Sequence, residues 1–322
     1  MQHDDLIFMV EQAVKAPSGH NTQPWLFRVE ENRIDILPNP EKELKVVDAD
    51  RRELFVSLGC AAENLCIAAS VKGYKADVSM PEDGSFVSVQ FTSSSLVIKN
   101  PLYEQISQRQ TNRNVYNGTV IKENIIYSLR NMQKEENVGV YFLLNGEGKY
   151  NVVADYIMKG NKIQLRDKAF KDELSSWIRY NKSHAEESGD GLSYAVFGAP
   201  NLPRCISEMI MKACLNPFVQ NRGDKKKIQS SSHFVLFTTR HNSIKEWIGL
   251  GRTLERFLLE LTASGIAYAF LNQPCEIKAL SEQMKYSLLI DTEYPTILIR
   301  IGYGKKMPFS LRKRIDEVLY DI

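Results

Sequence analysis

Two segments of the sequence resemble each other at a constant offset of 192 positions (250 minus 58), and this repeat constrains the fold more than any other feature. Residues 58–74 read LGCAAENLCIAASVKGY, and residues 250–266 read LGRTLERFLLELTASGI. At this offset a leucine, two glycines and a glutamate are identical, and several other matching positions are apolar in both segments. The similarity indicates an internal duplication; chance likeness between two amphipathic helices is the alternative.

Each segment predicts a helix followed by a strand. The helix begins at a glycine, carries apolar residues at helical spacing and ends at a second glycine suited to a C-cap. Strand-like runs follow, SFVSVQF at 85–91 and YPTILIRIGYG at 294–304. We therefore expect an α+β fold built from two related halves, residues 1–100 and 101–322, fused in one chain. The stretch TSSSLVIKNP at 92–101 contains small polar residues and a proline, as expected of a seam.

The second half is longer because it is predicted to carry an insertion at about residues 151–230. The insertion is mostly helical in pattern, with a turn-rich stretch at 188–203 (SGDGLSYAVFGAPNLP) in its middle. The charged run RGDKKK at 222–227 is expected to be a solvated loop, and SHFVLFTT at 232–239 is expected to return to the sheet. Long excursions between core elements are often lids or binding loops, so the insertion is a candidate lid.

Composition argues against several classes of function. The 41 basic and 39 acidic residues give a formal net charge of +2, so no global positive field is present to bind nucleic acid. The five cysteines lack the Cys-x-x-Cys spacing of a zinc or redox site, and no metal is expected. The start of the sequence lacks signal-peptide features and no apolar run reaches membrane length, so we expect a cytoplasmic protein with no membrane partner.

Two motifs are candidates for binding chemistry. The stretch APSGHNTQPW at 16–25 fits neither a helix nor a strand, and its prolines enclose small and amide side chains that can form hydrogen bonds. In SQRQTNRNVYNG, Arg109, Thr111 and Arg113 alternate, so an extended segment would project all three to one side. Two guanidinium groups around a hydroxyl suit a phosphate, although solvated surface arginines are the alternative. The run PFSLRKRIDEVL at 308–319 adds a second basic cluster, and the two together would suit a phosphomonoester.

Together with AFLNQP at 269–274 and IGYG at 301–304, these motifs resemble the nitroreductase family of FMN proteins over nearly the whole chain except the insertion. The fused halves resemble the Acg-like branch in particular, in which one flavin is retained and an inserted lid covers it. The resemblance implies an α+β fold with one FMN site made by both halves. The mirror-image site is expected to be lost, because no basic motif precedes the first loop and no proline-serine-asparagine loop follows the arginine motif.

The resemblance also implies a set of FMN-binding residues. The matched positions are Arg109, Gln110, Thr111, Arg113 and either Arg312 or Arg314 for the phosphate and ribityl chain, Leu271 and Asn272 for the turn at the flavin N5 edge, and Pro17, Ser18, Gly19 and Asn21 for the ring. No catalytic acid or base is predicted. His20 is expected to be an exposed loop residue.

The implied activity is hydride transfer from NADH or NADPH through FMN to a nitroaromatic or quinone-like acceptor. If the insertion covers the flavin, the alternative is an FMN storage or sequestration protein with little or no reductase activity; a third possibility is an interaction scaffold without flavin. The expected partner is a small-molecule acceptor, and the chain is expected to be a monomer with an internal pseudo-dimer or a homodimer. Side chains of the insertion would either close over the ring or pack the insertion's own core, namely Trp177, Arg179, Tyr180, Tyr194 and Phe197.

Overall fold

The computed structural model describes residues 1–320, and in this part of the chain helices and antiparallel sheets form the predicted α+β fold. The first sheet contains β1 (Trp25–Glu30), β2 (Arg33–Pro38), β3 (Tyr74–Ser79) and β4 (Val87–Ser93), in the spatial order β1-β2-β4-β3. Two short strands, β6 (Ile178–Arg179) and β7 (Leu192–Ser193), pair in parallel. The second large sheet contains β5 (Val138–Leu144), β8 (His233–Thr239), β9 (Ala267–Phe270) and β10 (Tyr294–Gly302), in the order β5-β8-β10-β9.

Helices precede, connect and cover these sheets. They are α1 (His3–Ala13), α2 (Arg52–Val71), α3 (Tyr103–Ile106), α4 (Glu123–Arg130), α5 (Gly148–Gln164), α6 (Lys168–Ser176), α7 (Lys182–Ser188), α8 (Arg204–Cys214), α9 (Pro217–Gln229), α10 (Ile244–Ala263), α11 (Gln273–Glu276) and α12 (Lys278–Leu288). Short 3₁₀ turns lie at 19–21, 40–42, 194–197 and 315–317. The helices and strands predicted from the repeat are present, as α2 with β4 and α10 with β10, but both helices begin several residues before the glycine at which they were expected to start.

The two large sheets have the same topology. In chain order, the first strand of each sheet pairs with the second, the second with the fourth and the fourth with the third. In each sheet a helix of 20 residues, α2 or α10, connects the second strand to the third. The pattern read from the sequence therefore extends beyond one helix and one strand to the order of a whole sheet.

The helices α2 and α10 cross at Gly59 and Gly251, the two glycines that the repeat aligns. A Cβ atom on Gly59 would lie 2.2 Å from the carbonyl oxygen of Ile248, and one on Gly251 would lie 2.1 Å from that of Val56. No side chain fits at such distances, so only glycine lets the two backbones approach this closely. The crossing lies within the main hydrophobic core, to which both helices and both large sheets contribute.

Helix α2 is apolar around most of its circumference because it packs between α1, the first sheet and α10. By length and composition it could cross a membrane, contrary to the expectation that no apolar run reaches membrane length, but 83% of its most apolar window is buried inside the protein. An all-round apolar helix is expected at the centre of a large core. We therefore interpret α2 as a core helix.

The insertion is mostly helical, as predicted, and contains α5 to α9 with the β6–β7 pair. One prediction within it is wrong: the charged run at 222–227 lies in α9 rather than in a loop. Helix α9 begins with Pro217 at its first position, and the Asn216 side chain accepts a hydrogen bond from the backbone N–H of Phe218 at 2.8 Å. This cap starts the helix, which then continues through the charged run because lysine is a good helix former.

Candidate functional site

A cavity of about 270 Å³ brings together parts of the chain that are distant in sequence. The loop after α1, the start of α2, the segment 109–113, the β9–α11 turn, the insertion and the stretch 308–312 all contribute to its wall. Ten of the predicted site residues line it, namely Pro17, Ser18, Gly19, Asn21, Arg109, Gln110, Thr111, Arg113, Asn272 and Arg312. The structure therefore brings the loop at 16–25, the proline loop, to the same place as both basic clusters.

The loop between α1 and β1 has a backbone conformation that non-glycine residues seldom adopt. His20, Asn21 and Gln23 have φ angles of 49°, 57° and 54°, all in the left-handed region. Contacts inside and outside the loop hold this conformation. The backbone N–H of Gln23 donates to Oγ of Ser18 at 3.0 Å, and its side-chain amide donates to the carbonyl of Gly189 at 2.9 Å. Strained backbone held by its surroundings is typical of functional sites.

Asn21 connects this loop to two other parts of the chain. Its Nδ2 donates to the carbonyl oxygens of Gly191, at 3.0 Å, and Leu311, at 3.1 Å. Its Oδ1 accepts a hydrogen bond from Arg312 at 2.5 Å. The amide thus joins the proline loop to the insertion and to the C-terminal basic cluster, a role that the sequence did not reveal.

The segment 109–113 runs beside β9 in an extended conformation. Thr111 forms a bridge with Tyr268, whose carbonyl also accepts a hydrogen bond from the backbone N–H of Asn112 at 2.7 Å. The Asn112 side chain donates to the carbonyl of Lys305 at 2.7 Å instead of lining the cavity. The two flanking arginines line the cavity together with Thr111, as the alternating pattern predicted.

Arg109 is buried and held in place by residues from both halves of the chain. Its Nε lies 3.2 Å from Oε1 of Glu255, whose side chain is fully buried. One terminal nitrogen donates to the hydroxyl of Tyr268 at 2.6 Å, and the other donates to the carbonyl of Lys15. Burial raises the pKa of Glu255, while the nearby arginine opposes this shift. Glu255 is the glutamate that the repeat aligns with Glu63, so the sequence flagged its position but not its partner.

Several buried nitrogen atoms at the cavity have no hydrogen-bond partner among the described residues. They include Nη1 of Arg113, Nε of Arg312, Nε2 of Gln110 and Nε2 of His20. Buried polar atoms without partners are rare in folded proteins, and each one needs an explanation. Their concentration on one cavity indicates a ligand that presents hydrogen-bond acceptors.

The arginines also make the cavity electrostatically suited to an anion. Burial lowers the pKa of Arg113 to about 10. Burial and the neighbouring charge of Arg109 lower the pKa of Arg312 to about 9. Both shifts arise because the cationic form is poorly solvated and lies near another cation. A phosphate group would relieve both penalties with charge-assisted hydrogen bonds.

Two predicted site residues do not line the cavity. Arg314 is 76% exposed at its side chain and pairs with Asp316 at 2.6 Å, because it lies at the start of an exposed 3₁₀ turn. Leu271 is buried in the second core cluster, and its backbone N–H donates to the carbonyl of Leu298 at 2.9 Å. The structure thus places these two residues outside the cavity lining, and of the two alternative C-terminal arginines Arg312 lines it.

The insertion contributes to the cavity through other residues than its predicted aromatic side chains. Gln164, Phe170, Leu174 and Leu192 line the wall, whereas Trp177 packs with Phe170 in a separate small core. The other side chains proposed to close over a ring also lie outside the lining, namely Arg179, Tyr180, Tyr194 and Phe197. Aromatic rings do reach the cavity, but from Phe170, Phe270 and Phe309.

His20 differs from the expectation of an exposed loop residue. It is partly buried, lines the cavity and lies close enough to Arg113 for their charges to interact. Burial, together with the charge of Arg113, lowers its pKa to about 4. His20 is therefore neutral at pH 7 and adds an uncharged hydrogen-bonding group to the cavity wall.

Several polar residues of the cavity were missed by the sequence analysis, including two carboxyl groups. Glu53 at the start of α2 and Gln273 and Glu276 in α11 all line it. Glu276 follows the predicted turn by only a few residues, but nothing in the sequence connects it to Glu53, which lies in the other half of the chain. Such a pair is visible only after folding.

The fold is that of an α+β protein, and its cavity, lined by three arginines, suits an anionic small molecule. No protein-family profile matches the chain. The chain is 23% identical over 318 residues to "Putative NAD(P)H nitroreductase Rv3131" of Mycobacterium tuberculosis, covering 95% of this chain and 88% of the relative. It is 22% identical over 322 residues to "Putative NAD(P)H nitroreductase acg" of the same species, covering 97% and 94%. The chain is therefore similar to proteins named as nitroreductases, with Acg among these relatives, and this confirms the resemblance that the motifs predicted.

The solved structures to which the chain is similar have low overall structural similarity to it. The FMN-dependent nitroreductase NfnB from Mycobacterium smegmatis in complex with NADPH has a TM-score of 0.42 and 11% identity, covering 68% of this chain and 96% of that one. A nitroreductase with bound FMN from Bacteroides fragilis has a TM-score of 0.38 and 14% identity, covering 64% and 89%.

Proposed function

We propose that the protein is an FMN-binding oxidoreductase of the nitroreductase type that uses NADH or NADPH. The observation that carries this proposal is the cavity itself, where Arg109, Arg113 and Arg312 meet. Among the described residues, a buried nitrogen of Arg113 and one of Arg312 have no hydrogen-bond partner. These groups fit the phosphate of FMN, because a dianionic phosphate accepts several hydrogen bonds and compensates the local positive charge. The names of the mycobacterial relatives support the same activity.

Different residues of the cavity would contact different parts of FMN. The arginines with Gln110 and Thr111 would hold the phosphate and ribityl chain, and the loop at 17–21 would lie against the ring. When bound, FMN supplies hydride transfer between a nicotinamide and a small acceptor, for which we propose a nitroaromatic or a quinone-like compound. The apolar walls from Phe170, Phe270 and Phe309 would exclude water from the ring.

We also propose that the two halves, 1–100 and 101–322, arose by duplication and form one site between them. The identical topology of the two large sheets supports this proposal, as does the crossing of α2 and α10 at the aligned glycines. One loop of the first half and two basic clusters of the second half meet in the cavity. A single chain would then suffice for a complete site.

Anaerobic titration tests the proposed activity directly. The purified protein, loaded with FMN, is mixed with NADH or NADPH under nitrogen while the visible absorbance of oxidised flavin is followed. Loss of this absorbance, and its return when a quinone or a nitroaromatic is added, is the expected result. A protein that takes up no FMN contradicts the proposal.

A storage or sequestration function is the second candidate, and the position of the insertion favours it. Four residues of the insertion line the cavity, and its 189–191 turn is hydrogen-bonded to the proline loop through Asn21 and Gln23. In addition, Lys42 pairs with Asp190 at 2.8 Å. A closed insertion would keep nicotinamide from the ring. If bound flavin keeps its visible absorbance when NADH or NADPH is added, the result supports the storage or sequestration function.

Replacing Arg113 tests the phosphate assignment. We expect Arg113→Gln to raise the dissociation constant of FMN by about 10- to 100-fold, because hydrogen bonds to a charged group contribute about 1.5–3 kcal/mol. The measurement is quenching of flavin fluorescence during titration of the FMN-free protein. Arg314→Gln is the matched control, since this arginine is exposed and lies outside the cavity lining. Equal affinity of both variants would refute the assignment of Arg113.

A further inference from the structure

Two carboxyl groups from opposite halves of the chain meet in the cavity wall. Glu53 at the start of α2 and Glu276 in α11 line the cavity and lie close enough for their charges to interact. Each has its own amide neighbour: Nδ2 of Asn272 donates to Glu53, and Nε2 of Gln164 donates to Glu276. These hydrogen bonds hold the two carboxyl groups in fixed positions next to each other.

This pair is expected to hold a proton at neutral pH. Two neighbouring buried carboxyl groups do not both ionise readily, because their negative charges repel. Burial raises the pKa of Glu53 to about 8, and repulsion from Glu276 adds to the shift; burial also raises the pKa of Glu276. The positive charge of Arg52 opposes both pKa shifts, and the negative charge of Asp48 reinforces the shift of Glu276. The Arg52 guanidinium also donates a hydrogen bond to the carbonyl of Cys275 at 2.8 Å.

The position of the pair relates it to the proposed flavin site. A Cβ atom on Gly19 would lie 3.2 Å from Oε2 of Glu53, so the pair adjoins the loop at 17–21. In the same wall, the buried Oε1 of Gln273 has no hydrogen-bond partner among the described residues. The cavity therefore contains a proton donor and an unpaired acceptor in addition to its arginines, which is more than a phosphate requires.

We propose that Glu53 and Glu276 together donate the proton that a carbonyl-type acceptor, such as a quinone, takes up as it is reduced in this cavity. This inference rests on the proposed oxidoreductase function. A quinone becomes a hydroquinone by gaining one hydride and one proton. The electron pair comes from NADH or NADPH through the cofactor. The proton leaves the carboxyl pair as its O–H bond breaks and a new O–H bond forms on the acceptor oxygen. The doubly ionised pair then regains a proton from water after the product leaves.

The first test needs no activity. Infrared spectra of the FMN-free protein at pH 7 are compared for the wild type, Glu53→Gln, Glu276→Gln and the control Glu186→Gln, an exposed carboxylate of α7. Loss of a protonated-carboxyl C=O band in both cavity variants, but not in the control, is expected. An unchanged band in the cavity variants means that the pair holds no proton, and the proposal is then wrong.

The second test separates proton donation from electron transfer. The FMN-loaded variants are reduced with NADH or NADPH and reoxidised either by a quinone, which needs a proton, or by ferricyanide, which does not. We expect both cavity variants to reduce the quinone about 10²–10⁴-fold more slowly, the usual range for a lost general acid, while ferricyanide reduction changes less than about twofold.

The outcomes distinguish the two proposals. Quinone rates that stay normal, or that fall in parallel with the ferricyanide rates, overturn proton donation while the oxidoreductase function stands. A wild-type protein that binds FMN but is not reduced by either nicotinamide overturns the oxidoreductase function and the donor role with it. The infrared result still decides whether the pair carries a proton.

Discussion

Replacing Arg109 with methionine is expected to lower the free energy of unfolding by about 3–5 kcal/mol, the usual cost of breaking a buried ion pair from one side. The side chains of Arg109 and Glu255 are 2% and 0% exposed, so Glu255 would be left in the core without its counter-charge. The variant also loses the hydrogen bonds to Tyr268 and to the carbonyl of Lys15. Urea denaturation of the FMN-free protein measures the effect.

The loss is expected to grow with pH. Burial already raises the pKa of Glu255 above its ordinary value of 4.5, and removal of the arginine that opposes this shift raises it further. A carboxyl with a raised pKa binds a proton more tightly in the folded state than in the unfolded state. The free energy of unfolding therefore falls as pH rises above the pKa that this carboxyl has in the unfolded state. The variant is expected to be less stable at pH 8 than at pH 5.

A double variant separates folding from flavin binding. In Arg109→Met/Glu255→Gln no charge is left unpaired in the core, so we expect recovery of much of the lost stability. Its affinity for FMN is expected to stay about 10-fold or more below that of the wild type, because the cavity has lost one of its cations. A double variant with full FMN affinity would show that Arg109 only supports the fold. A single variant as stable at pH 8 as the wild type would contradict the buried pair.

Local patterns in the sequence predicted much of this molecule. The repeated apolar pattern and the glycines after it predicted α2 and α10 and their ends, since apolar periodicity and C-cap glycines act over a few residues. The expected start of each helix at a glycine was wrong, because Gly59 and Gly251 lie inside the helices, where they cross. The alternation of Arg109, Thr111 and Arg113 gave the cavity-facing side of the 109–113 segment for the same reason. The charged run in α9 was misjudged because its helix is started by a cap several residues earlier.

The contacts that complete the cavity could not be predicted in this way. Glu255 meets Arg109, and Glu53 meets Glu276, across separations of well over one hundred residues. Which partners meet depends on how the two halves pack, and no short pattern encodes that packing. Asn21 shows the same limit: its type suited a hydrogen-bonding loop, but its partners in the insertion and the C-terminal stretch appear only in the folded chain.

Adding one methyl group where the two central helices cross is expected to destabilise the protein strongly. In Gly251→Ala the new Cβ would lie 2.1 Å from the carbonyl oxygen of Val56 and 2.9 Å from Cα of Gly59. Both contacts are backbone atoms, so the helices must separate. Overpacking costs about 1–3 kcal/mol when side chains can adjust, and we expect at least about 3 kcal/mol here. Alanine's higher helix propensity offsets about 1 kcal/mol at most.

The matched control is Gly223→Ala in α9, where no atom lies within 4 Å of the added Cβ, and a gain of about 0.5–1 kcal/mol is expected. The crossing also supports the cavity, because Cys60 donates to the carbonyl of Gly251 at 3.2 Å and Val56 lines the wall. Separation of the helices is therefore expected to weaken FMN retention as well as stability, as measured by chemical denaturation and by flavin content after gel filtration. If Gly251→Ala folds with undiminished stability, α2 and α10 do not touch backbone to backbone, and the shared site loses its structural basis.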